Sequence, residues 1–384
     1  MTLSEKIDLN NLDKSNWKTY RFDEIAKNIS ERVDPNNTDL TVYIGLEHID
    51  SESLHIKRTG TPDDVNGQKL RFYKDDIIFG RRRAYQRKAA IATCDGFCSA
   101  HALVLRANPV VIDPKLFPFF MHSDVFMHIA VDISVGSLSP TINWGTLKHQ
   151  KFVLPPLEIQ SELVNLFVSL ETTLQNNINT NQLFTRFLSV FLKSIFYENT
   201  ERLPLINLCI EPPKYGANFS AAKFNNETRY IRITDIGEFG QLNDQPVSAD
   251  SDDSNYILTE GDFLIARTAD PGRSYYYKAS DGKCSHAGYL IKFRLNTNKL
   301  MPEYLYFFTQ TDEYKSWINQ TTRTGTVSNI NSREFSSLKV PYTDISQQMH
   351  AVKQVKAHFE KLRYARQLII DLQNLRSTLL IKVF

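Results

Sequence analysis

The chain has 384 residues, more than one typical domain core requires, and this length predicts two globular units with connecting elements. Its composition, 42% hydrophobic and 23% charged residues, excludes intrinsic disorder and a fibrous repeat. The formal net charge of +2 gives no overall attraction to a polyanion, so any nucleic-acid surface must be local.

Neither a membrane span nor a disulfide framework is predicted. No apolar run approaches the ~20 residues that a bilayer requires, and the first residues, MTLSEKIDLNN, lack an apolar signal core. The cysteines are dispersed at Cys94, Cys98, Cys209 and Cys284, which is typical of a reducing compartment. We therefore expect a cytoplasmic protein without membrane contact.

Residues 1–155 have the pattern of a first globular domain. Short β-branched or aromatic runs such as DDIIFG and HALVLR are separated by Gly, Asp and Asn turn signals, which predicts mainly strands. The stretch PKLFPFFMHSDVFMHIAVD predicts a helical insertion among them.

Residues 156–197 contain no Gly or Pro after the Pro155-Pro156 pair and predict one long helix. Apolar residues recur in it at alternating spacings of four and three, the heptad seam of a coiled coil. Packing of the helix on its own domain alone is the other interpretation. Polar residues interrupt the seam at Asn177 and Asn181, where a buried amide fixes register. The predicted seam positions are Leu163, Phe167, Leu170, Leu174, Asn177, Asn181, Phe184 and Leu188.

Residues 198–342 repeat the texture of the first domain, and residues 343–384 repeat that of the first long helix. The heptad template, moved along the chain, again falls mainly on nonpolar residues. Two matched helices of similar length favour pairing with each other. The seam positions predicted in the second helix are Val355, Leu362, Ile369, Leu372 and Leu379.

Matching stretches show that the chain is a tandem duplication. VYIGLEHID at residues 42–50 corresponds to RYIRITDIG at residues 229–237, and DIIFGR at residues 76–81 corresponds to DFLIAR at residues 262–267. CSAHALVL at residues 98–105 aligns with CSHAGYLI at residues 284–291, and Asn143 aligns with Asn331. The predicted fold class is α+β: two similar globular domains of strands and short helices, joined by two long paired helices.

Catalytic and metal-binding patterns are few. Asp270, Asp281 and Lys283 have the residue types of a metal-dependent nuclease, in which acids hold Mg²⁺ beside the scissile phosphate. The same segments, ADPGR and SDGK, are also strong hairpin turns. Cys94, Cys98 and His101 could hold three corners of a zinc site, but buried small residues on a strand are the simpler interpretation. No metal site is predicted.

Two basic loops are the best candidates for binding. GRRRAYQRK at residues 80–88 carries five positive charges and no acid, and guanidinium groups grip phosphates and read guanine edges. After the matching strand of the second copy stands ARTADPGRSYYYK, with a different sequence. The predicted DNA contacts in the first loop are Arg81, Arg82, Arg83, Tyr85, Arg87 and Lys88. Those in the second copy are Arg267, Arg273, Tyr275, Tyr276 and Lys278.

These stretches, in this order and repeated, resemble the specificity (S, HsdS) subunit of type I restriction-modification systems. YIGLEHID and KLRFYKDDIIFGRRRAYQRKAAIATCDGFCSAHALVLRA are similar to the family's first target-recognition domain, and PKYGANFSAAKFNNETRYIRITDI to the start of its second. The loops leading into LPPLEIQ and VPYTDISQQ resemble the signature before each conserved helix. The chain departs from the family at Ala84, where Pro often follows Arg. Lys214 and Tyr215, in the second stretch, join the predicted DNA contacts.

The resemblance implies a non-catalytic subunit that binds double-stranded DNA. In that family residues 1–155 and 198–342 would be target-recognition domains, each for one half of a bipartite sequence. Residues 156–197 and 343–384 would be spacer helices that pair antiparallel and hold two methyltransferase (M) subunits, which restriction and motor (R) subunits join. The chain itself needs no cofactor. S-adenosylmethionine, ATP and Mg²⁺ are expected on the partner subunits.

The length of the spacer helices predicts the distance between the two half-sites on DNA. A helix of about 35 residues spans on the order of 50 Å, or roughly 15 base pairs at ~3.4 Å each. Two alternatives stay open: a structural adaptor built on a coiled coil without DNA, and a metal-dependent nuclease that acts alone.

Overall fold

The computed structural model describes residue 9 and residues 12–197, 201–251, 254–322 and 329–384. It divides into two compact units, unit 1 (Met1–Asn177 with Leu368–Phe384) and unit 2 (Ile178–Gln367). The predicted boundaries at residues 155, 197 and 342 separate the domains from the helices. The compact units instead divide both long helices, so each unit contains one domain and part of each helix.

The described residues of unit 1 form three small sheets. β1 pairs with β10, one four-stranded sheet has the order β2-β9-β6-β7, and another has the order β3-β5-β8-β4. The strands are β1 (Lys18–Arg21), β2 (Ala26–Ile29), β3 (Arg32–Val33), β4 (Tyr43–Ile44), β5 (Lys69–Phe72), β6 (Ile77–Gly80), β7 (Ala89–Ile91), β8 (Gly96–Cys98), β9 (Ala102–Ala107) and β10 (Lys151–Leu154). The helices are α1 (Phe22–Ile25), α2 (Phe117–Met121), α3 (Asp124–Asp132), α4 (Trp144–Leu147) and α5 (Leu157–Tyr197), the last of which continues into unit 2.

Unit 2 repeats this arrangement. β11 pairs with β20, a four-stranded sheet has the order β12-β19-β16-β17, and two further pairs are β13-β15 and β14-β18. The strands are β11 (Glu201–Pro204), β12 (Lys214–Tyr215), β13 (Ala221–Lys223), β14 (Arg229–Ile231), β15 (Val247–Ala249), β16 (Asp262–Ala266), β17 (Ser274–Tyr276), β18 (Cys284–His286), β19 (Leu290–Arg294) and β20 (Lys339–Tyr342). The helices are α6 (Pro302–Thr309), α7 (Asp312–Thr322), α8 (Ser332–Ser337) and α9 (Ile345–Val383), the last of which continues into unit 1. The predicted α+β class with two similar domains and two long helices is confirmed.

The register of the strands corrects one part of the predicted repeat. β4 runs parallel to β8 with Ile44 opposite Cys98, and β14 runs parallel to β18 with Ile231 opposite His286. Because Ile44 and Ile231 are equivalent, Cys98 corresponds to His286. The alignment of Cys98 with Cys284 is therefore wrong by two residues.

In unit 1 the first part of α5 packs against the last part of α9. Leu163, Phe167 and Leu170 belong to the same buried cluster as Leu379 and Val383. An ion pair joins the helices at their edge, with 3.0 Å between the Arg376 guanidinium and the Glu171 carboxylate. The buried apolar residues and this ion pair together hold the two helices side by side.

In unit 2 the other ends of the two helices are in contact. The last part of α5 packs against the first part of α9. Leu188 and Leu192 share a buried cluster with Val355 and Leu362. The ring of Phe191 lies 4.9 Å, centroid to centroid, from the ring of His358 on α9. The start of α5 therefore contacts the end of α9, and the end of α5 contacts the start of α9. This is the contact pattern of an antiparallel pair of helices.

The predicted seam positions are all buried or half-buried. The polar ones behave differently from one another: Asn177 donates a hydrogen bond of 2.8 Å to the carbonyl of Thr173 in its own helix. The side-chain oxygen of Asn181 is buried, and within the described part of the chain it has no hydrogen-bond partner. That these amides fix the register stays a prediction.

A buried glutamine explains why LPPLEIQ and VPYTDISQQ recur. Gln160 near the start of α5 and Gln348 near the start of α9 are fully buried, and each side chain closes three backbone hydrogen bonds of 2.7–2.9 Å. The partners of Gln160 are the Asp113 amide and the carbonyls of Val111 and Pro155. Those of Gln348 are the Met301 amide and the carbonyls of Lys299 and Thr343. Each glutamine thus ties the start of a long helix to the loop before a short helix.

Among the described residues, no helix combines the length and the apolar character that crossing a membrane requires.

We predict that Gln160→Ala lowers the free energy of unfolding of unit 1 by about 2–4 kcal/mol, because it leaves buried backbone groups without partners. Chemical denaturation followed by circular dichroism would measure the loss. Asn176→Ala, which removes an amide from an exposed position of the same helix within unit 1, is the matched control and should change the value by under about 0.5 kcal/mol. Equal effects of the two substitutions would contradict the role given to Gln160.

Candidate nucleic-acid interface

The first basic loop leaves the end of β6 and turns sharply. A single 3₁₀ turn at Ala84–Gln86 is flanked by Arg83 and Arg87, whose φ angles of 54° and 52° lie in the left-handed region. Such conformations cost energy in non-glycine residues and persist only where the surroundings impose them. Ala84 is buried and pins the turn to the domain. The loop therefore has a fixed shape.

Three side chains of this loop are exposed to solvent, and a fourth is half-buried. Arg82, Arg83 and Tyr85 are exposed and Arg81 is half-buried. GRRRAYQRK contains no acid that would neutralise them. The structure thus groups Arg81, Arg82, Arg83 and Tyr85 as a positive surface beside an aromatic ring.

The remaining two basic residues of the loop are engaged within unit 1. Arg87 bonds to Asp124 at 2.7 Å and to the carbonyl of His122 at 2.8 Å, and it lies 3.1 Å from Glu52. Lys88 donates to the carbonyl of Leu46 at 2.6 Å. These contacts place both side chains in the scaffold that supports the loop, away from the group that faces solvent.

The segment before α4 packs directly on this loop. The amide of Ile142 donates to the carbonyl of Arg81 at 2.9 Å, and the amide of Arg83 donates to the carbonyl of Pro140 at 2.8 Å. Unit 2 repeats the first bond, because the amide of Ile330 donates to the carbonyl of Arg267 at 2.9 Å. In both units, then, the Ile-Asn motif holds the arginine that follows the central strand. Gly325 to Ser328, the start of the second motif, lie outside the described residues.

In unit 2, Arg267 stacks on Tyr215 with 4.8 Å between the guanidinium and the ring centre. Its Nε donates to the side chain of Asn329 at 3.1 Å. The Tyr215 hydroxyl donates to Ser332 Oγ at 3.2 Å and accepts from the Ser332 amide at 3.1 Å. The cation–π contact and these hydrogen bonds fix the Arg267 guanidinium over the Tyr215 ring.

Other predicted contacts of the second copy lie elsewhere in unit 2. Tyr275 is fully buried and donates to Asp281 at 2.7 Å, and burial raises the pKa of its hydroxyl. Arg273 donates to Asp270 at 2.6 Å and to the carbonyl of Ile236 at 2.9 Å.

Tyr276 and Lys278 line a separate cavity of about 500 Å³, where Lys278 lies 4.6 Å from the Tyr276 ring centre. Lys214 is paired with Glu211 at 2.7 Å. The structure therefore brings together Arg267 and Tyr215, but it does not bring the other predicted residues of this copy to them.

Sequence reasoning missed one position that occurs in both units. The amide of Arg81 donates to the carbonyl of His101 at 3.2 Å, and the amide of Arg267 donates to the carbonyl of Tyr289 at 3.0 Å. His101 and Tyr289 are thus equivalent, and both are exposed, Tyr289 to 62%. The internal repeat could have revealed this equivalence, but the alignment of Cys98 with Cys284, wrong by two residues, paired His101 with Ala287 instead.

His101 is electrostatically coupled to the first loop. Burial and the positive charges of Arg82, Arg81 and Lys69 lower its pKa below the ordinary value. Its Nε2 lies 3.3 Å from the Arg82 guanidinium. Because arginine has no acceptor, Nε2 must accept this bond, which requires the neutral imidazole with its proton on Nδ1. The exposed ring then offers a donor beside the arginines.

The metal-binding alternatives are not supported by the geometry. Over the described ranges, no group of three or more His, Cys, Asp or Glu is placed to hold a metal ion. Asp270 and Asp281 accept hydrogen bonds from Arg273 and Tyr275. Cys98 is buried, and burial raises the pKa of its thiol, so that it stays protonated.

Comparison with known proteins gives a family match over most of the chain. The model of the type I restriction modification DNA specificity domain matches residues 14–195 and 211–374. The specificity subunit of the Escherichia coli type I restriction enzyme EcoDI is 30% identical over 152 residues, which cover 39% of this chain and 34% of that subunit. The match therefore spans about a third of that relative's length.

A longer match is the putative type I restriction enzyme MjaX specificity subunit of Methanocaldococcus jannaschii, 23% identical over 347 residues that cover 81% of this chain and 79% of that protein. Among solved structures, the S subunit of the type I restriction-modification system from M. genitalium superposes with a TM-score of 0.66. It covers 99% of this chain and 98% of its own at 16% identity, a likeness that concerns the fold.

We predict that the protonation midpoint of His101 rises when Arg82 is replaced by alanine, because a neighbouring positive charge that opposes protonation is removed. NMR titration of the imidazole resonances of the full chain would measure the midpoint in both proteins. Lys115→Ala, which removes a charge outside the group that lowers this pKa, is the control and should leave the midpoint in place. A midpoint unmoved by Arg82→Ala would contradict the coupling.

Proposed function

Because the chain belongs to the type I restriction-modification DNA specificity family, we propose that it is the subunit that selects the DNA sequence in such a complex. It binds a bipartite duplex target, one half-site per domain, and carries no catalytic residues of its own. The observation that supports this most directly is the arginine held in the same way beside an exposed aromatic residue in each unit, Arg81 with His101 and Arg267 with Tyr289.

Local charge supports DNA as the ligand. The whole chain is nearly neutral, yet the first loop places Arg81, Arg82 and Arg83 together without an acid of its own. Guanidinium groups bind phosphate oxygens and make paired hydrogen bonds to the O6 and N7 of guanine. In the proposed interface these arginines fix the position of the duplex and read part of the first half-site.

The difference between the two domains supports two different half-sites. The scaffold around the arginine is the same in both units, whereas the adjacent exposed residue is His101 in one and Tyr289 in the other. A neutral imidazole donates one hydrogen bond, and a tyrosine offers a ring face and a hydroxyl. We propose that these residues contribute to base selection, and that Arg87, Arg273 and Tyr275 support the interface without touching DNA.

The two long helices are the proposed spacer and assembly element. Each has residues in both units, and exposed apolar residues remain on them, such as Leu183, Val190 and Tyr364. We propose that two methyltransferase subunits bind along these helices and that restriction and motor subunits join the complex in the cytoplasm. S-adenosylmethionine, ATP and Mg²⁺ would be used by those partners.

We predict that Arg82→Ala and Arg267→Ala each weaken binding of the target duplex about tenfold and reduce the slope of log K against log salt by about one, as loss of a phosphate contact requires. Fluorescence anisotropy at several salt concentrations would measure both quantities. The chain would be used in complex with its proposed methyltransferase partner. Lys115→Ala removes an exposed charge of unit 1 that lies outside the basic loop and is the control. If the wild type shows no salt-sensitive binding to duplex DNA, the adaptor that does not bind DNA would be favoured.

We predict that removing one heptad from each long helix, residues 174–180 and 366–372, shortens the unread gap by about three base pairs, since seven residues rise about 10 Å. The letters of both half-sites should stay the same. Mapping methylated adenines in cells that express the shortened chain would measure gap and letters together. A changed letter with an unchanged gap would contradict the spacer role.

A further inference from the structure

Two apolar side chains project into solvent beside the first basic loop. Leu138 is 92% exposed and Val135 is 71% exposed, both in the segment of residues 134–141. Single exposed apolar residues are common and need no explanation of their own. What distinguishes these two is the rigidity of the segment and the identity of its neighbours.

The segment is closed on itself and fixed to the arginines. Val135 and Thr141 exchange two backbone hydrogen bonds, of 3.0 and 2.9 Å. The bonds from Arg83 to Pro140 and from Ile142 to Arg81 join the segment to the basic loop. Leu138 therefore lies exposed on a segment that four backbone hydrogen bonds close and fix to the basic loop.

The same pattern of residue types recurs in the sequence. GSLS at residues 136–139 precedes the first Ile-Asn motif, and GTVS at residues 325–328 precedes the second, so each copy has one aliphatic residue between small polar ones. One aliphatic residue at that place would need no explanation, but the pattern occurs in both copies. Its recurrence points to a contact that forms only with a ligand.

We propose that Leu138, assisted by Val135, contacts the methyl group of a thymine in the major groove of the first half-site. The inference rests on the proposed function. A positively charged surface selects a polyanion, and the thymine C5-methyl is the apolar group that duplex DNA displays among its major-groove base edges. Guanine edges, which arginine forks read, lie in the same groove. The arginines and Leu138 then read polar and apolar features of one half-site together.

The test replaces each thymine of the first half-site, one at a time, by deoxyuridine, which lacks only the methyl group. The complex of the full chain with its methyltransferase is titrated with these duplexes, after the target has been obtained by mapping methylated adenines. For the wild-type chain, one replacement should weaken binding about fourfold, the value of one buried methyl group. Leu138→Ser should bind the thymine duplex about fourfold more weakly and should not distinguish it from the deoxyuridine duplex.

Val110→Ser is the matched control. Val110 is 77% exposed in unit 1 but follows the far end of β9, away from the strand end that meets the basic loop. It should bind like the wild type and keep its sensitivity to deoxyuridine. Because Leu138 is exposed, its replacement should also leave thermal unfolding of the chain unchanged.

Three results would overturn the inference. They are a flat deoxyuridine scan with the wild type, a Leu138→Ser variant that still distinguishes the two duplexes, and 2-aminopurine fluorescence that rises on binding only when Leu138 is present. The last result would mean that Leu138 inserts between bases. A flat scan with tight, salt-sensitive binding of the mapped target refutes only the thymine contact, whereas absence of such binding refutes the proposed function itself.

Discussion

The antiparallel contact between α5 and α9 is the constraint on which both compact units depend. Neither helix belongs to one unit: the early part of α5 and the late part of α9 complete unit 1, and the opposite parts complete unit 2. Phe167 of α5 stacks on Phe119 of the first domain at 5.0 Å while sharing its cluster with Val383 of α9. The seam therefore does more than join two helices, because the cores of the domains extend into it.

A second constraint, local this time, brings the distant motifs of each domain together. The amide of an isoleucine, Ile142 or Ile330, donates to the carbonyl of the arginine that directly follows β6 or β16. Backbone groups make this bond, so the side chains around it are free to differ between the copies. The two units thus share one scaffold while the exposed residues beside the arginine differ, His101 in one unit and Tyr289 in the other.

Sequence reasoning predicted the features that depend on period and repetition: the duplication, the strand-rich domains and the two long helices. It failed where the outcome depends on long-range partners or on the phase of a strand. Arg87 lies in the same basic run as Arg82, yet its partner Asp124 is remote in sequence and holds it in the scaffold. In SYYYK, strand alternation points one tyrosine inward, and the sequence does not reveal that Tyr275 is the buried one. Aligning the Cys-Ser pair at residue 98 with the one at residue 284 shifted the repeat by two residues. Only the pairing of strands in three dimensions gives the correct register, and this register identifies Tyr289 as the equivalent of His101.

The division of α9 between the units also has a consequence for synthesis of the chain. The cluster that contains Phe119 and Phe167 is completed by Leu379, Leu380 and Val383, which the ribosome adds only after residues 178–367. At roughly 5–20 residues per second, the nascent first half waits on the order of 10–40 s with that apolar surface open to water or to a chaperone. Unit 1 is thus begun first and closed last, and the insertion of unit 2 between its two segments sets the length of the delay.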